Sequence, residues 1–544
     1  MLDLTELNSY ISDLKRLQDS TRPAGLPSEV HYPAGEISIP AHISHWADVR
    51  GAETALVFDG REYTFAEVDD LHRRIAGWMS STGVTKGDRV ALHMGNCAEF
   101  YLCFLAVLRL GAVHVPVNPM FAHAELNHEL SDAGPSLILC TSALKHLSEN
   151  AGDARGDAVI AAVDEDWDRI IGAAPHRDDD GDLDSLAALN YTGGTTGLPK
   201  GCTHTQRDML YTAASTATAT ELPRDGSFTS LCYLPVFWIA GEDLGLLLPI
   251  VLGGTSVLLA RWNAAEVVDA IEKHGVSVMI GTVENYLEIM AMPDVADRDF
   301  SSMTDPQAVS FVRKMSPEVR HDWARSTNCT GVLREAAYGM TETHTLDAIP
   351  YGMAENDFDL NAEPVFCGLP VPGTDIAVVE FGTQQPVALD EVGEIIVRSP
   401  SVTSGYWRNE EATAAQIVDG WLHTGDTGRI DSDGYLHFLG RQKEMIKVNG
   451  MSVFPAEVEL LVSRHPDVLA VAVVPMADPE TEQRPLAFVQ PHADSSLTAT
   501  ELEAWCRENM SRYKLPLIEI VESMPMTATG KIRKTALTER ASRG

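Results

Sequence analysis

Between Tyr191 and Gly201 the chain reads Tyr-Thr-Gly-Gly-Thr-Thr-Gly-Leu-Pro-Lys-Gly, a spacing of small, hydroxylic and basic residues suited to holding phosphate. Gly193, Gly194 and Gly197 let backbone amides approach an anion closely, and Thr192, Thr195 and Thr196 offer hydroxyl hydrogen bonds. Lys200 adds a point charge at the end of the loop. The apolar run Leu186 to Leu189 predicts a buried strand just before it, so the loop sits at a strand's carboxyl end, where α/β sheets bind ligands. It is not a Walker A loop, because Lys200 follows Pro199 and precedes Gly201 instead of closing a Gly-Lys-Ser/Thr end. Alone, a Gly/Thr-rich turn is also compatible with a flexible surface loop.

Four more segments follow in order. They are Tyr338-Gly-Met-Thr-Glu-Thr343, Thr424-Gly-Asp426, Gly440-Arg-Gln-Lys-Glu-Met-Ile-Lys447 and Pro525-Met-Thr-Ala-Thr-Gly-Lys531. With the opening loop they closely resemble the core motifs of the adenylate-forming superfamily, which includes acyl-CoA and aryl-CoA ligases, firefly-type luciferases and the adenylation domains of peptide synthetases. The resemblance runs from about Tyr63 to Lys531 and is strongest to the acyl-CoA synthetase branch.

The resemblance implies a two-step reaction needing ATP, Mg²⁺ and coenzyme A. A carboxylate attacks the α-phosphate and pyrophosphate leaves; a thiol then attacks the acyl carbon and AMP leaves. Such in-line substitution depends on positioning and charge neutralisation, so no Ser-His-Asp triad is required. By resemblance, Thr192 to Lys200 hold the β- and γ-phosphates. Glu342 is the magnesium carboxylate, with Thr192 touching the metal shell, and Thr341 donates to the α-phosphate. Glu335, Ala336 and Tyr338 belong to the ATP/AMP site, Tyr338 presenting a flat face for adenine. Asp426 accepts the ribose hydroxyls with Arg441 nearby. Lys531 reaches the carboxylate and α-phosphate where negative charge builds. Lys447, with Gly450, Met451 and Ser452, lies on the opposite face of a C-terminal lid and lines the pantetheine tunnel; Ser452 departs from the glutamine or arginine common in relatives. Lys443 is the hinge of a lid that rotates between half-reactions.

Acyl specificity is read from departures within the motifs. Trp238 stands in Leu234-Pro-Val-Phe-Trp-Ile-Ala-Gly241 where many ligases carry histidine and amino-acid-activating relatives an aspartate, so it disfavours an amino-acid substrate and either lines the acyl tunnel or packs as core. Gly339 replaces the tryptophan of acetate-activating relatives and, with Ala337, leaves volume for a larger fatty, aryl or secondary-metabolite acid. Thr282 is assigned to the same pocket. Glu284 either faces a polar substrate group or starts a helix from Asn285 to Met292. His204 and His344 have no evident partners and default to loop or core positions. Two rivals remain: an adenylating enzyme that delivers to a carrier protein or to oxygen, and a non-catalytic nucleotide-binding homologue.

The elements that must position these residues follow from composition and pattern. A chain of 544 residues exceeds one hydrophobic core, so at least two domains are expected. The expected class is α/β. A large N-terminal domain (1–440) of parallel α/β sheets carries a small β-rich subdomain at Gly368 to Tyr406, and a mobile α+β lid (441–544) follows. Arg89 to Met94 and Ala112 to Val117 read as strands, Phe100 to Leu110 as an apolar helix. Pro455 to Val462 and Leu502 to Met510 read as helices, Val468 to Val474 and Ala487 to Gln490 as strands. The first thirty or so residues read as a loose arm or short helix, and Asp178 to Asp184 as a solvated acidic linker.

The net charge of -37, from 41 basic and 78 acidic residues, disfavours nucleic acid and anionic membranes. Against that field Lys200, Lys443, Lys447 and Lys531 concentrate positive charge inside the motifs. The eight cysteines show no metal-ligand spacing and fit reduced thiols. Val236 to Gly253, interrupted by Glu242 and Asp243, is not expected to span a membrane, and Met1 to Glu6 has neither the basic start nor the apolar core expected of a signal peptide. The expected setting is cytoplasmic, with a small-molecule acid as partner and a homodimer unsurprising for the family.

Overall fold

The computed structural model describes all residues except 1–3, 193–198, 224, 345, 363–364, 450, 479–480, 527–530 and 543–544. Short apolar runs dominate the first half of the chain. Val113–Val117 and Leu137–Cys140 are buried at every position, as strands covered on both faces must be. They belong to a sheet ordered Val159–Ala162, Leu137–Cys140, Arg89–His93, Val113–Val117, Leu186–Tyr191, Gly201–Thr205. Its strands are parallel except the last, which returns antiparallel after the phosphate loop. A second sheet is ordered Arg334–Glu335, Asp305–Val309, Val278–Thr282, Thr229–Cys232, Thr255–Leu258, Thr54–Phe58, Arg61–Thr64, again parallel but for the edge strand Arg61–Thr64. The helix Ala98–Arg109 is buried at every position but Glu99 and touches strands of both sheets. A helix so nearly apolar all round is stable in such a sandwich.

The β-rich region is larger than the sequence suggested. An antiparallel sheet runs Ala348–Ile349, Val365–Pro370, Leu436–Arg441, Trp421–Ile430, Gly393–Arg398, Asp375–Val379. Its central strands, Trp421–Ile430 and Leu436–Arg441, carry the Thr-Gly-Asp and Gly-Arg motifs, whose polar letters disguised their strand character. The N-terminal segment is not a loose arm. Leu4–Thr21 is an 18-residue helix whose Leu7, Ile11 and Leu14, at helical spacing, are buried on this sheet against Ile396, Trp421 and Val378.

The acidic stretch 178–184 is likewise tied down. Asp179 accepts from the Ser38 hydroxyl, Asp182 pairs with Lys86 at 2.7 Å and Asp184 with Arg207 at 2.6 Å. Beyond Arg441 a further sheet runs Met451–Val453, Ile446–Val448, Glu482–Pro491, Val468–Asp478, with Leu517–Ile520 parallel to Glu482–Pro491. The helices Pro455–Ser463 and Ala499–Asn509 cover it, and Val458, Val462, Val473, Val489 and Leu502 form its core. Among the described residues no helix is long and apolar enough to cross a membrane.

Candidate active site

The phosphate loop is held by its two feet. Tyr191 and Gly201 pair across the antiparallel strands. Thr192 N donates to Lys200 O at 2.9 Å, and Lys200 N to Thr192 Oγ1 at 3.3 Å. A Cβ on Gly201 would meet the Tyr191 ring at 3.1 Å, so a side chain there would press on the loop's entry. The helix His123–Ala133 grips both feet: Tyr191 OH donates to Asp132 Oδ2 at 2.7 Å, and His128 Nε2 to Pro199 O at 2.9 Å. Gly193, Gly194, Thr195, Thr196 and Gly197 lie outside the described residues.

Glu342 stands on a tight 3₁₀ turn, Thr341–Thr343, whose backbone is over-determined. Thr341 O accepts from His204 Nε2 (2.8 Å), Glu342 O from Thr403 N (2.7 Å) and Thr343 O from Ser401 Oγ (2.8 Å). His344 closes the turn in the left-handed region at φ 53°, a conformation that a non-glycine residue adopts only when its surroundings enforce it. The Glu342 carboxylate accepts from the Tyr406 hydroxyl at 2.8 Å. Lys200 completes the grouping, its ammonium 3.8 Å from the Tyr406 ring centroid and donating to Gln416 Oε1 at 2.9 Å. Burial lowers the Lys200 pKa, with Lys443 adding to the effect and Glu342 opposing it. Tyr406 and Gln416 lie in no recognisable motif and were missed in the sequence.

A second grouping gathers around Asp426. Cross-strand register sets it opposite Arg441, with Arg441 Nε 2.8 Å from Asp426 Oδ1, and the Tyr338 hydroxyl donates to Asp426 Oδ2 at 2.7 Å. Tyr338 thus contributes a hydroxyl as well as the ring face read from its type. Burial pushes the Asp426 carboxyl up to about 6, against the pull of Arg441 and Tyr338. Ala337 and Gly339 flank the buried Tyr338 and are exposed, whereas Ala336 is buried and donates to Ala308 O at 2.8 Å.

Glu335, assigned to the ATP/AMP site, has its carboxylate bonded to Ser310. It accepts from Ser310 N at 2.9 Å and Ser310 Oγ at 2.6 Å, fixing the next loop. Thr282 proves to be the N-cap of a helix Val283–Met290, with Asn285 reciprocating, so that helix starts two residues before the expected Asn285. Glu284 is in its first turn and accepts from Arg313 N at 2.8 Å. Trp238 caps the helix Ile239–Glu242 and is partly buried against the large core cluster.

Sequence reasoning left the histidines without partners; the fold gives them several. Glu242, one turn beyond Trp238 and fully buried, accepts from Asn190 Nδ2 at 3.1 Å and faces His114 Nε2 and His344 Nε2, each at 3.6 Å. His344 in turn stacks edge-on with His204, ring centroids 4.8 Å apart. Burial alone would raise the Glu242 pKa, but the two imidazoles bring it down to about 2. Burial and Glu242 push the neighbouring Asp243 up to about 7. One carboxylate thereby joins the strand before the phosphate loop to the turn that bears Glu342. No local pattern in the sequence signals this, because its members lie at 114, 190, 204, 242 and 344.

From the C-terminal region, Lys531 reaches Phe311 of the large domain and the neighbourhood of Arg441. Its ammonium lies 4.8 Å from the Phe311 ring centroid, and burial together with Arg441 lowers its pKa. Lys447 does not. It donates to Ser452 Oγ at 2.9 Å across its hairpin, and its backbone N–H donates to Gln483 Oε1. Met451 is exposed and Gly450 lies outside the described residues. Lys443 is exposed in the short turn Gln442–Glu444 between the two regions.

Residues 43–407 match the family model described as AMP-binding enzyme, and residues 457–531 the AMP-binding enzyme C-terminal domain. The chain belongs to the AMP-binding enzyme family. Its relatives place it in the acyl-CoA synthetase branch, as the motifs implied. It is similar to 4-coumarate–CoA ligase 3 of Oryza sativa subsp. japonica, 31% identical over 89% of this chain and 88% of the relative. It is also similar to the long-chain-fatty-acid–CoA ligase of Salmonella typhimurium, 30% identical over 97% of this chain and 99% of that one. The fold matches the crystal structure of the anthranilate CoA ligase AuaEII in complex with anthranoyl-AMP, with a TM-score of 0.81, 24% identity and coverage of 93% of this chain and 98% of that one. This member of the family therefore has the α/β architecture, the AMP-forming ligase class and the two-part organisation that such relatives share.

Proposed function

We propose that this member of the family is an ATP-dependent acyl-CoA ligase for a medium-to-large carboxylic acid. The carrying observation is the segment Tyr338 to Glu342. At one end Tyr338 bonds Asp426, at the other Glu342 meets Tyr406 beside Lys200, and the exposed Ala337 and Gly339 leave space alongside. Ribose, phosphate and acyl sites thus share one short stretch of chain.

In this reading Asp426 accepts the ribose hydroxyls, with Arg441 and Tyr338 fixing its carboxylate. Lys200, Thr192 and the loop amides hold the outer phosphates, and Thr341 donates to the α-phosphate. Lys531 quenches the charge that grows as the acid's oxygen attacks phosphorus and pyrophosphate leaves. Glu342, with the Thr192 hydroxyl, would hold Mg²⁺, which neutralises phosphate charge when bound. Among the described residues no three His, Cys, Asp or Glu side chains cluster as a metal cage. A single carboxylate supplemented by water and substrate phosphate is the donor set that Mg²⁺ accepts. Residues 441–544 act as a lid hinged near Lys443; its rotation brings Lys447, Gly450, Met451 and Ser452 to coenzyme A, whose thiol attacks the acyl carbon and releases AMP.

The absence of a carboxylate at Trp238 argues against an amino-acid substrate, and Gly339 argues against an acetate-sized pocket. The relatives named for 4-coumarate and long-chain fatty acids support acids of larger size. Purified protein with ATP, Mg²⁺, coenzyme A and a panel from acetate through octanoate, palmitate, 4-coumarate and anthranilate should yield thioester and AMP with the larger acids. Turnover of acetate alone overturns the size assignment. Acid-dependent pyrophosphate exchange without thioester, restored by a phosphopantetheinyl carrier protein, overturns the choice of free coenzyme A.

A further inference from the structure

The loop from Ser310 to Met315 follows the strand Asp305–Val309 and is pinned to the large domain. Ser310 is held by Glu335, its Oγ accepts from Met315 N at 2.9 Å, and Arg313 N donates to Glu284 Oε1 at 2.8 Å. Its tip faces the other way. Val312 packs against an apolar cluster containing Val474, Val521, Met524 and Leu537, whose remaining members all come from residues 470–541. Arg313 Nη2 donates to His492 Nε2 at 3.3 Å, and Phe311 lies under the Lys531 ammonium at 4.8 Å. Three consecutive side chains therefore make an apolar, a polar and a cation–π contact with the C-terminal region.

The geometry points to Phe311, Val312 and Arg313 as a docking pad that seats the C-terminal domain for adenylation, with Phe311 positioning the Lys531 ammonium. This rests on the two-step ligase reading above. The physical case has two parts. A lysine side chain loses several rotatable bonds' worth of freedom when held at one point, and an aromatic face offsets part of that cost without neutralising the charge. An apolar tip such as Phe-Val on a pinned loop is unfavourable in water, so the loop favours the state in which the lid covers it. The pad residues act through Lys531 and the lid, and so are positioning residues. They should matter for the first half-reaction and not for the second.

The test separates the half-reactions: pyrophosphate exchange with 4-coumarate or palmitate for the first, and thioester formation from isolated acyl-adenylate and coenzyme A for the second. V312D and F311L should each lower exchange about tenfold or more while thioester formation stays within about twofold of wild type, and R313M should show a smaller loss of the same kind. Equal losses in both steps, or unchanged exchange, overturn the pad. A readout independent of turnover uses R313C/H492C treated with a short bismaleimide, with the cross-linked peptide detected by mass spectrometry. Cross-linking should proceed with ATP present, preserve exchange and abolish thioester formation; no cross-linked peptide overturns the pad. Wild-type protein silent with every acid, yet with the double variant cross-linking, overturns the ligase reading and leaves the pad standing.

Discussion

The turn that carries Glu342 and the segment that carries Lys531 are held in opposite ways. Each carbonyl of Thr341–Thr343 is claimed by a donor from outside the turn, one from His204 and two from the segment 401–403, and buried Glu242 braces the same region through His344. Lys531 meets the large domain through a ring face at 4.8 Å, supported by one apolar side chain and one arginine nearby. In the reading proposed above, the groups that hold nucleotide throughout the cycle stand in a network of several hydrogen bonds. In the same reading Lys531 serves one half-reaction only, and a cation–π contact of this kind is weak enough to release. The difference is one of free energy: a turn with each carbonyl hydrogen-bonded costs several kcal/mol to disturb, whereas a cation–π contact contributes about 1 kcal/mol.

That contrast breaks first at Lys531. K531M should lower acid-dependent pyrophosphate exchange about a hundredfold or more while thioester formation from supplied adenylate stays near wild type, because the ammonium acts only where charge builds at phosphorus. If both half-reactions fall together, Lys531 belongs to the rigid set and the contrast is wrong. Removing the hydroxyl that Glu342 accepts comes next. Y406F should weaken kcat/KM for Mg·ATP by roughly tenfold, the worth of a hydrogen bond to a charged group. Its effect should fall on nucleotide kinetics and spare affinity for the acid.

The opposite face of the lid gives a mirror experiment. K447M should slow thioester formation by about tenfold and leave exchange unchanged, the reverse of K531M; stopped-flow measurement of the two steps decides it. The smallest effect concerns pH. Because burial holds Asp426 up at about 6, its carboxylate is charged above that value and protonated below it. A protonated carboxyl loses acceptor capacity for the ribose hydroxyls and its attraction for Arg441, so KM for ATP should rise as pH falls through about 6 and flatten above it. D426N should remove that inflection and carry the weaker affinity at every pH.

Much of this was legible in the letters. The ordered motifs identified the family, and Arg89–His93, Ala98–Arg109 and Val113–Val117 fall within a residue or two of their expected limits. Such elements are dictated by local hydrophobic period, which a linear reading sees. The helix Leu4–Thr21 was underestimated because its polar face dominates the composition, while the few residues at helical spacing that bury it need a distant sheet to pack on. The partner of Glu335 was hidden for a related reason: its place beside a nucleotide motif says nothing of Ser310, whose N–H and hydroxyl its carboxylate accepts. Tyr406, Gln416 and Phe311 stand in no motif, and only folding brings them to Glu342, Lys200 and Lys531.

What the sequence determined by itself is the chemistry on offer: a glycine- and threonine-lined anion loop, a carboxylate for a hard cation, an acid for ribose, and lysines placed against a strongly acidic background. Residue type sets those capacities wherever the side chain ends up. The tertiary structure alone decided how each is held, which carboxylate is ionised and which is pushed toward neutrality, and which loop meets the lid. Those properties depend on burial and on partners hundreds of positions away, and neither is encoded in the neighbouring letters.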